Sequence, residues 1–180
     1  MSYRRDQRQD APRWLDLSEQ ALLEDCRFDY FRGPGPGGQK RNKSSNSVRL
    51  HHLPTGISVI AGESRSQAEN KARAVRRLKL QLAAEVRQPI DPRGFEPPPW
   101  FAQVTQLGRL AVAHRNEDYA RTAALVLDLL DARRGSVGDV AKLLGVSTSS
   151  VVKFLAAEPQ LWAAAYAIRK DAGQAPLQKR

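Results

Sequence analysis

Val48-Arg-Leu-His-His-Leu-Pro-Thr-Gly-Ile-Ser-Val-Ile-Ala61 carries two alternating sets of side chains around a turn. Val48, Leu50 and His52 share one side of the first run, and Ile57, Val59 and Ala61 share one side of the second. Pro54-Thr55-Gly56 supplies turn chemistry between them, so a β-hairpin is predicted. Upstream, Phe28, Tyr30 and Arg32 alternate with Arg27, Asp29 and Phe31, as in a short strand. Downstream, Ser66 and Glu69 have the spacing of a capping box, with Ser66 as N-cap. Ala68, Ala72, Val75, Leu78, Leu82 and Val86 then recur at helical spacing and predict one apolar face. A small sheet with one helix packed across it is an α+β unit.

Between the first strand and the hairpin stands Gly33-Pro-Gly-Pro-Gly-Gly-Gln39. Gly37 and Gly38 lack a Cβ, so the chain there can take φ > 0 and approach a substrate closely. Successive N–H groups in such a turn form a donor site for an anion and can stabilise a developing oxyanion. Gln39 does not ionise, so it can position or polarise a group but cannot act as a general base. Read alone, the run is more often a Pro/Gly surface loop than a functional site.

Charge narrows the partner. The chain holds 29 Lys+Arg against 19 Asp+Glu, a formal +10. Residues 32–87 carry twelve Lys/Arg and three Asp/Glu, so this segment alone accounts for +9. A solvated helix face is the bland reading. A one-sided excess beside the Gly-rich run points instead to phosphate contact, with RNA as the expected partner.

Several ordered elements carry a family resemblance: Gly37-Gly38-Gln39, Asn42-Lys43, Leu53-Pro-Thr-Gly-Ile57 and Arg65-Ser-Gln67 opening a basic helix. Over about residues 26–86 the chain resembles the catalytic domain of class I peptide-chain release factors and of the related codon-independent rescue factors. The resemblance implies hydrolysis of the peptidyl-tRNA ester by water in the peptidyl-transferase centre of the large subunit, whose 23S-type RNA is a partner. It implies that the Gln39 N–H stabilises the transition state or leaving oxygen while its side chain positions water. Gly37 and Gly38 let the tip enter the site. Lys40, Arg41, Lys43 and Arg65 are candidate RNA contacts, with Lys71, Arg73, Arg76 and Arg77 along the helix. Glutamine N-methylation occurs in the family, so a methyltransferase is a further possible partner. No metal or other cofactor is expected.

The remainder sets the kind of factor. About 25 residues precede the catalytic segment, too few for a decoding domain, so stop-codon reading is not expected. The long basic tail of small rescue factors is replaced by Asp171–Arg180, with two terminal bases. Residues 89–104 contain Pro89, Pro92, Pro97, Pro98 and Pro99 and are predicted to be a linker. Helices are predicted with Tyr119, Ala123, Val126, Leu127 and Leu130 on one face, then from about Val137 to Leu144, from near Ser147, and over 159–170 with Leu161, Trp162, Ala165 and Ile168. Asp139–Leu155 has helix-turn-helix spacing, with Ala141 at the crossing, Gly145 at the turn, and Val140, Leu144, Val146, Val151 and Phe154 as the interhelical core. Thr148, Ser149, Ser150 and Lys153 are expected to face outward for nucleic-acid or ribosome contact. Packing or protein contact remains an equal reading, because residues 91–180 hold twelve bases against nine acids.

Cys26 is the sole cysteine and offers no disulfide framework. His51 and His52 would face opposite sides of a strand, a poor geometry for one metal. No stretch is long and apolar enough to cross a membrane, and a cytoplasmic location is expected. The expected organisation is a disordered 1–13, a hydrolase domain 14–88, a linker 89–104, an all-α helix-turn-helix-like module 105–170 and a flexible 171–180. The expected function is codon-independent peptide release on stalled ribosomes or large subunits. The alternatives are a helix-turn-helix nucleic-acid-binding regulator and a non-catalytic ribosome-associated protein.

Overall fold

A computed structural model describes residues 4–5, 14–32 and 46–178. Gly37, Gly38, Gln39, Lys40, Arg41 and Lys43 therefore lie outside the described residues, as do most of 1–13 and the last two residues. In chain order the elements are β1 (Arg4–Arg5), a 3-10 turn (Trp14–Asp16), α1 (Glu19–Glu24), β2 (Cys26–Phe31), β3 (Ser47–His52), β4 (Ile57–Ala61) and α2 (Gln67–Glu85). They continue with β5 (Val86–Arg87), a 3-10 helix (Pro99–Val104), β6 (Thr105–Gln106), β7 (Arg109–Leu110), α3 (Asp118–Ala132), α4 (Val137–Leu144), α5 (Thr148–Ala156) and α6 (Pro159–Asp171). The fold is α+β, with two compact units: Trp14–Gln81, and Leu82–Arg180 together with Met1–Arg13. The division falls within α2, ahead of the Pro-rich stretch.

The first unit is an antiparallel meander in the order β2-β3-β4. Register pairs Phe28 with Leu50 and Leu50 with Val59, so the expected alternating sets share one face. Trp14, Leu22, Val48, Leu50, Ile57, Ala61, Val75 and Leu78 are buried. The hairpin turn has Gly56 at φ 69, a left-handed conformation that suits glycine. Helix α2 starts as expected, with Ser66 Oγ accepting from Glu69 N–H at 3.3 Å. The reciprocal half of a capping box is not made: Ser66 N–H donates to Ser64 Oγ, and the Glu69 carboxylate lies 3.7 Å from Arg73. Val75, Leu78 and Leu82 are buried as expected, but the first turns present a different face. Ala68 and Ala72 are exposed while Asn70 and Ala74 are buried, and Val86 belongs to β5.

His52 is fully buried in this unit, its Nδ1 bonded to Thr55 Oγ1 at 2.8 Å and its ring edge-on to Trp14 at 4.8 Å. Burial pushes the imidazole below its ordinary value, with Asp25 pulling weakly upward. Cys26 donates its S–H to Leu22 O at 3.3 Å, and burial, aided by Asp25, pushes the thiol up to about 11. It is a packed, unreactive cysteine.

In the second unit α3 is the central helix, buried along most of its length from Tyr119 to Leu130. It packs on α4, α6, β5 and the Pro99–Val104 helix. That short helix buries Phe101 and Val104, so the C-terminal end of the predicted linker is part of the core. The helix-turn-helix residues behave as predicted: Val140, Ala141, Leu144, Val146, Val151 and Phe154 are buried. Gly145 closes α4 at φ 64, its N–H returning to Ala141 and Lys142 carbonyls. Ser136 and Ser147 cap α4 and α5 through their hydroxyls. The β6–β7 hairpin was not anticipated. Leu107 sits at its tip at φ 48, beside Gly108 at φ 69, an unusual place for leucine.

Arg87 corrects the charge reading. It is 1 % exposed, and its guanidinium donates to Asp128 Oδ1 at 2.9 Å and to Ala83 O, while Gln88 N–H donates to the same Asp128 oxygen at 3.1 Å. It therefore presents no cation to a phosphate. Asp128→Ala would strand a buried guanidinium and should lower unfolding free energy by about 3–5 kcal/mol. Urea unfolding of the whole chain tests this, and a loss below about 1 kcal/mol would mean the pair adds little.

The buried imidazole predicts acid sensitivity. The unfolded chain binds the His52 proton more readily than the fold does, so its contribution is complete above an ordinary histidine value of 6.5 and is lost as pH falls below it. Between about pH 7.5 and pH 5.5 the melting temperature of wild type should fall more steeply than that of His52→Gln. Equal slopes would refute the assignment.

Candidate functional site

The site is built at the end of the sheet where β2 finishes and β3 begins. Phe31 and Ser47 are the last register pair before the chain leaves the described structure at Arg32 and returns at Asn46. Gly37-Gly38-Gln39 lies between those two positions in sequence. Two devices hold this end of the sheet. A Cβ on Gly62 would stand 2.6 Å from Ser47 Oγ and 3.2 Å from Ser47 Cβ, so any side chain there would make the buried serine shift. The Asn70 side chain, fully buried, accepts from Ser64 N–H at 3.0 Å and donates to Ser64 O and Asn46 O, both at 2.8 Å. One amide thereby ties the start of α2 to Asn46, where the described chain resumes just before β3. Sequence reading passed over Asn70 because a polar residue in a basic helix reads as solvated.

The predicted cations divide. Arg65 and Arg76 are exposed and are in no ion pair among the described residues. Lys71 sits over the Phe28 ring, Nζ 4.8 Å from its centroid, and stays exposed. Arg77 is 2.7 Å from Glu63 and also donates to Ile60 O. Arg73 lies 3.8 Å from Glu63 and 3.7 Å from Glu69. Burial pushes the Glu63 carboxyl up, but the Arg77 hydrogen bond and charge, with the N–H groups of Glu63 and Gly62, outweigh it and hold the carboxyl below the ordinary range. Arg73 and Arg77 thus tie α2 to the loop after β4 as well as offering charge.

The sheet face opposite the core is polar. Asp29 joins His51 at 2.9 Å and Arg27 at 3.4 Å, and Arg49 stacks 5.2 Å over Phe31 next to the loop base. His51 and His52 point to opposite faces and do not converge, and no group of three metal-ligating side chains occurs among the described residues. In the second unit Thr148, Ser149 and Lys153 are exposed as expected. Ser150 is not: it is buried, and its Oγ accepts from Leu110 N–H at 2.8 Å. No helix among the described residues is long and apolar enough to cross a membrane.

Residues 18–93 match the RF-1 domain family. Peptide chain release factor 1 of Parafrankia sp. (strain EAN1pec) is 40% identical over 80 residues, 44% of this chain and 22% of the relative. Peptide chain release factor 1 of Acidiphilium cryptum (strain JF-5) is 42% identical over 76 residues, 42% of this chain and 22% of the relative. Peptide chain release factor 2 of Helicobacter pylori (strain Shi470) is 49% identical over 67 residues, 37% of this chain and 18% of the relative. The chain spans about a fifth of the length of these relatives.

Asn70→Ala would leave three backbone groups at the loop base without their partner, and should cost about 2–4 kcal/mol in urea unfolding. Asn70→Asp puts a carboxylate oxygen against the two carbonyls at full burial, so its loss should be at least that of the alanine variant. Wild-type stability in both would show that the amide does not hold this end of the sheet.

Proposed function

With residues 18–93 a class I release factor-like domain of the GGQ type, we propose that this chain hydrolyses the ester between nascent peptide and tRNA in the large ribosomal subunit. The observation that carries the reading is Gly37-Gly38-Gln39 between two neighbouring strands of that domain. Water is the nucleophile. The Gln39 N–H stabilises the developing oxyanion or the leaving ribose oxygen, and the Gln39 amide positions the water. Gly37 and Gly38 let backbone donors come close to the ester. The 23S-type RNA and the tRNA supply the rest of the site, which accords with a tripeptide that has no ionisable side chain.

RNA contact is assigned to Lys40, Arg41 and Lys43 beside the tripeptide and to Arg65, Lys71 and Arg76, which are exposed. Arg73 and Arg77 contribute less, because Glu63 already offsets their charge. Such contacts set position and carry no base sequence information. The described residues beyond the domain form a helical unit. We assign the chain to codon-independent release on stalled ribosomes or large subunits in the cytoplasm, with Gln39 a candidate for N-methylation.

The test is release of labelled peptide from ribosome-bound peptidyl-tRNA. Complexes with a stop codon, with no codon in the A site, and isolated large subunits are compared. Wild type should release peptide without a stop codon, and Gly38→Ala should slow release by about a hundredfold or more while binding is kept. Gln39→Ala should retain more activity than Gly38→Ala, since it keeps the N–H donor. Release confined to stop-codon complexes would overturn codon independence. Equal rates for wild type and Gly38→Ala would overturn the mechanism.

A further inference from the structure

In the second unit a cleft of about 670 Å³ runs along α5 from its first turn to Ala157, with the β6–β7 hairpin as the facing wall. The hairpin is fastened there by Ser147 N–H donating to Gly108 O and Leu110 N–H donating to Ser150 Oγ, both at 2.8 Å. Three kinds of group line the cleft. Arg109 and Lys153 are exposed cations in no ion pair among the described residues. At one end α5 begins: Ser147 caps Ser150 N–H, and the Thr148 and Ser149 amides are first-turn donors of the kind a helix leaves without an intrahelical acceptor.

Toward the other end stands Tyr119. It is 5 % exposed, and its hydroxyl has no hydrogen-bond partner among the described residues. Burial, with Glu158 adding to it, pushes the phenol up to about 12, so it is a neutral donor at physiological pH. Its ring lies near-parallel to His114 at 4.6 Å and tilted to Phe154 at 5.2 Å, a wall that accepts flat rings. Glu158, 2.7 Å from His114, belongs to this end, a helix length away from the amides. The cleft is therefore cationic and donor-rich at one end and aromatic at the other. A buried hydroxyl without an acceptor destabilises the empty protein, and native proteins keep few of them.

We propose that this cleft binds a nucleotide, free or within an RNA chain. Its phosphate meets the Ser149 amide between Arg109 and Lys153, and its base lies on the aromatic wall and accepts from Tyr119. The choice of RNA over DNA rests on the ribosomal function proposed above; the nucleotide chemistry does not.

Binding is measured without ribosomes on the full chain by calorimetry with AMP, UMP and inorganic phosphate, and by anisotropy with matched short single strands of RNA and DNA. Wild type should bind nucleotide more tightly than phosphate, and RNA more tightly than DNA. Tyr119→Phe should weaken AMP binding by about tenfold while its melting temperature is unchanged or higher, since the variant removes an unsatisfied donor. Lys153→Ala should weaken AMP and phosphate alike. A tyrosine that only packs would leave affinity unchanged in Tyr119→Phe. No nucleotide binding by wild type, or binding unaltered in both variants, overturns the site. Phosphate binding equal to AMP overturns the base-binding half, and equal DNA binding overturns the choice of RNA. None of these outcomes touches the hydrolase reading, which peptide release decides separately.

Discussion

The Asn70 amide makes three hydrogen bonds at full burial, and the first unit depends on them. Ser64 lies between β4 and α2, and Asn46 directly precedes β3. Each buried backbone polar group left unmet costs about 1–3 kcal/mol. Burying an alanine methyl at the same place would gain about 0.8 kcal/mol. The comparison explains why α2 turns Asn70 inward and leaves Ala68 and Ala72 in water. It also explains why the helix sits where it does, with Lys71 over Phe28 and Arg77 reaching Glu63 and Ile60.

What was legible in the sequence was local. The hairpin at Pro54–Gly56, the cap at Ser66, and the α4–α5 pair with Gly145 between them are set by chemistry within a few residues, and the structure has each of them. The inward face of α2 is legible at Val75, Leu78 and Leu82 but not in its first turns, because periodicity weighs apolar side chains and is blind to distant carbonyls. Arg87 read as surface charge because its partner Asp128 lies forty-one residues on. Ser150 read as outward because its acceptor role belongs to Leu110, on a hairpin whose two-residue strands are too short to alternate visibly. The tripeptide was legible as a motif, yet Gly62 and Asn70, which hold the strand that follows it, carry no such mark.

Charge sorts itself differently from its count. The segment 32–87 is strongly basic in sequence, but Arg87 is consumed by a buried pair and Glu63 offsets both Arg73 and Arg77. Exposed pairs of the Glu63 kind add little stability, about 0–1 kcal/mol each. Their consequence is placement: they orient two long side chains along α2, while Arg65, Lys71 and Arg76 are among the described cations that stay exposed. A phosphate backbone would then meet a few fixed positions rather than a diffuse positive face, and that favours orientation over bare affinity.

On the proposed function, the tripeptide brings no group that can take or give a proton. Its contribution must come from where its donors stand, and the value of an oxyanion donor falls off within a fraction of an ångström. A Gly-rich segment is poor at holding position by itself, since glycine gives up more conformational freedom on ordering than any other residue. The order has to be imposed from the flanks and from the receiving site. At the flanks it is supplied by strand pairing up to Phe31 and Ser47, by the close approach of Gly62 to Ser47, and by the amide clamp on Asn46. The held base and the Gly-rich sequence are thus two halves of one requirement: the first fixes the strands from which the segment springs, and the second leaves it free of side chains that would keep backbone donors from the ester.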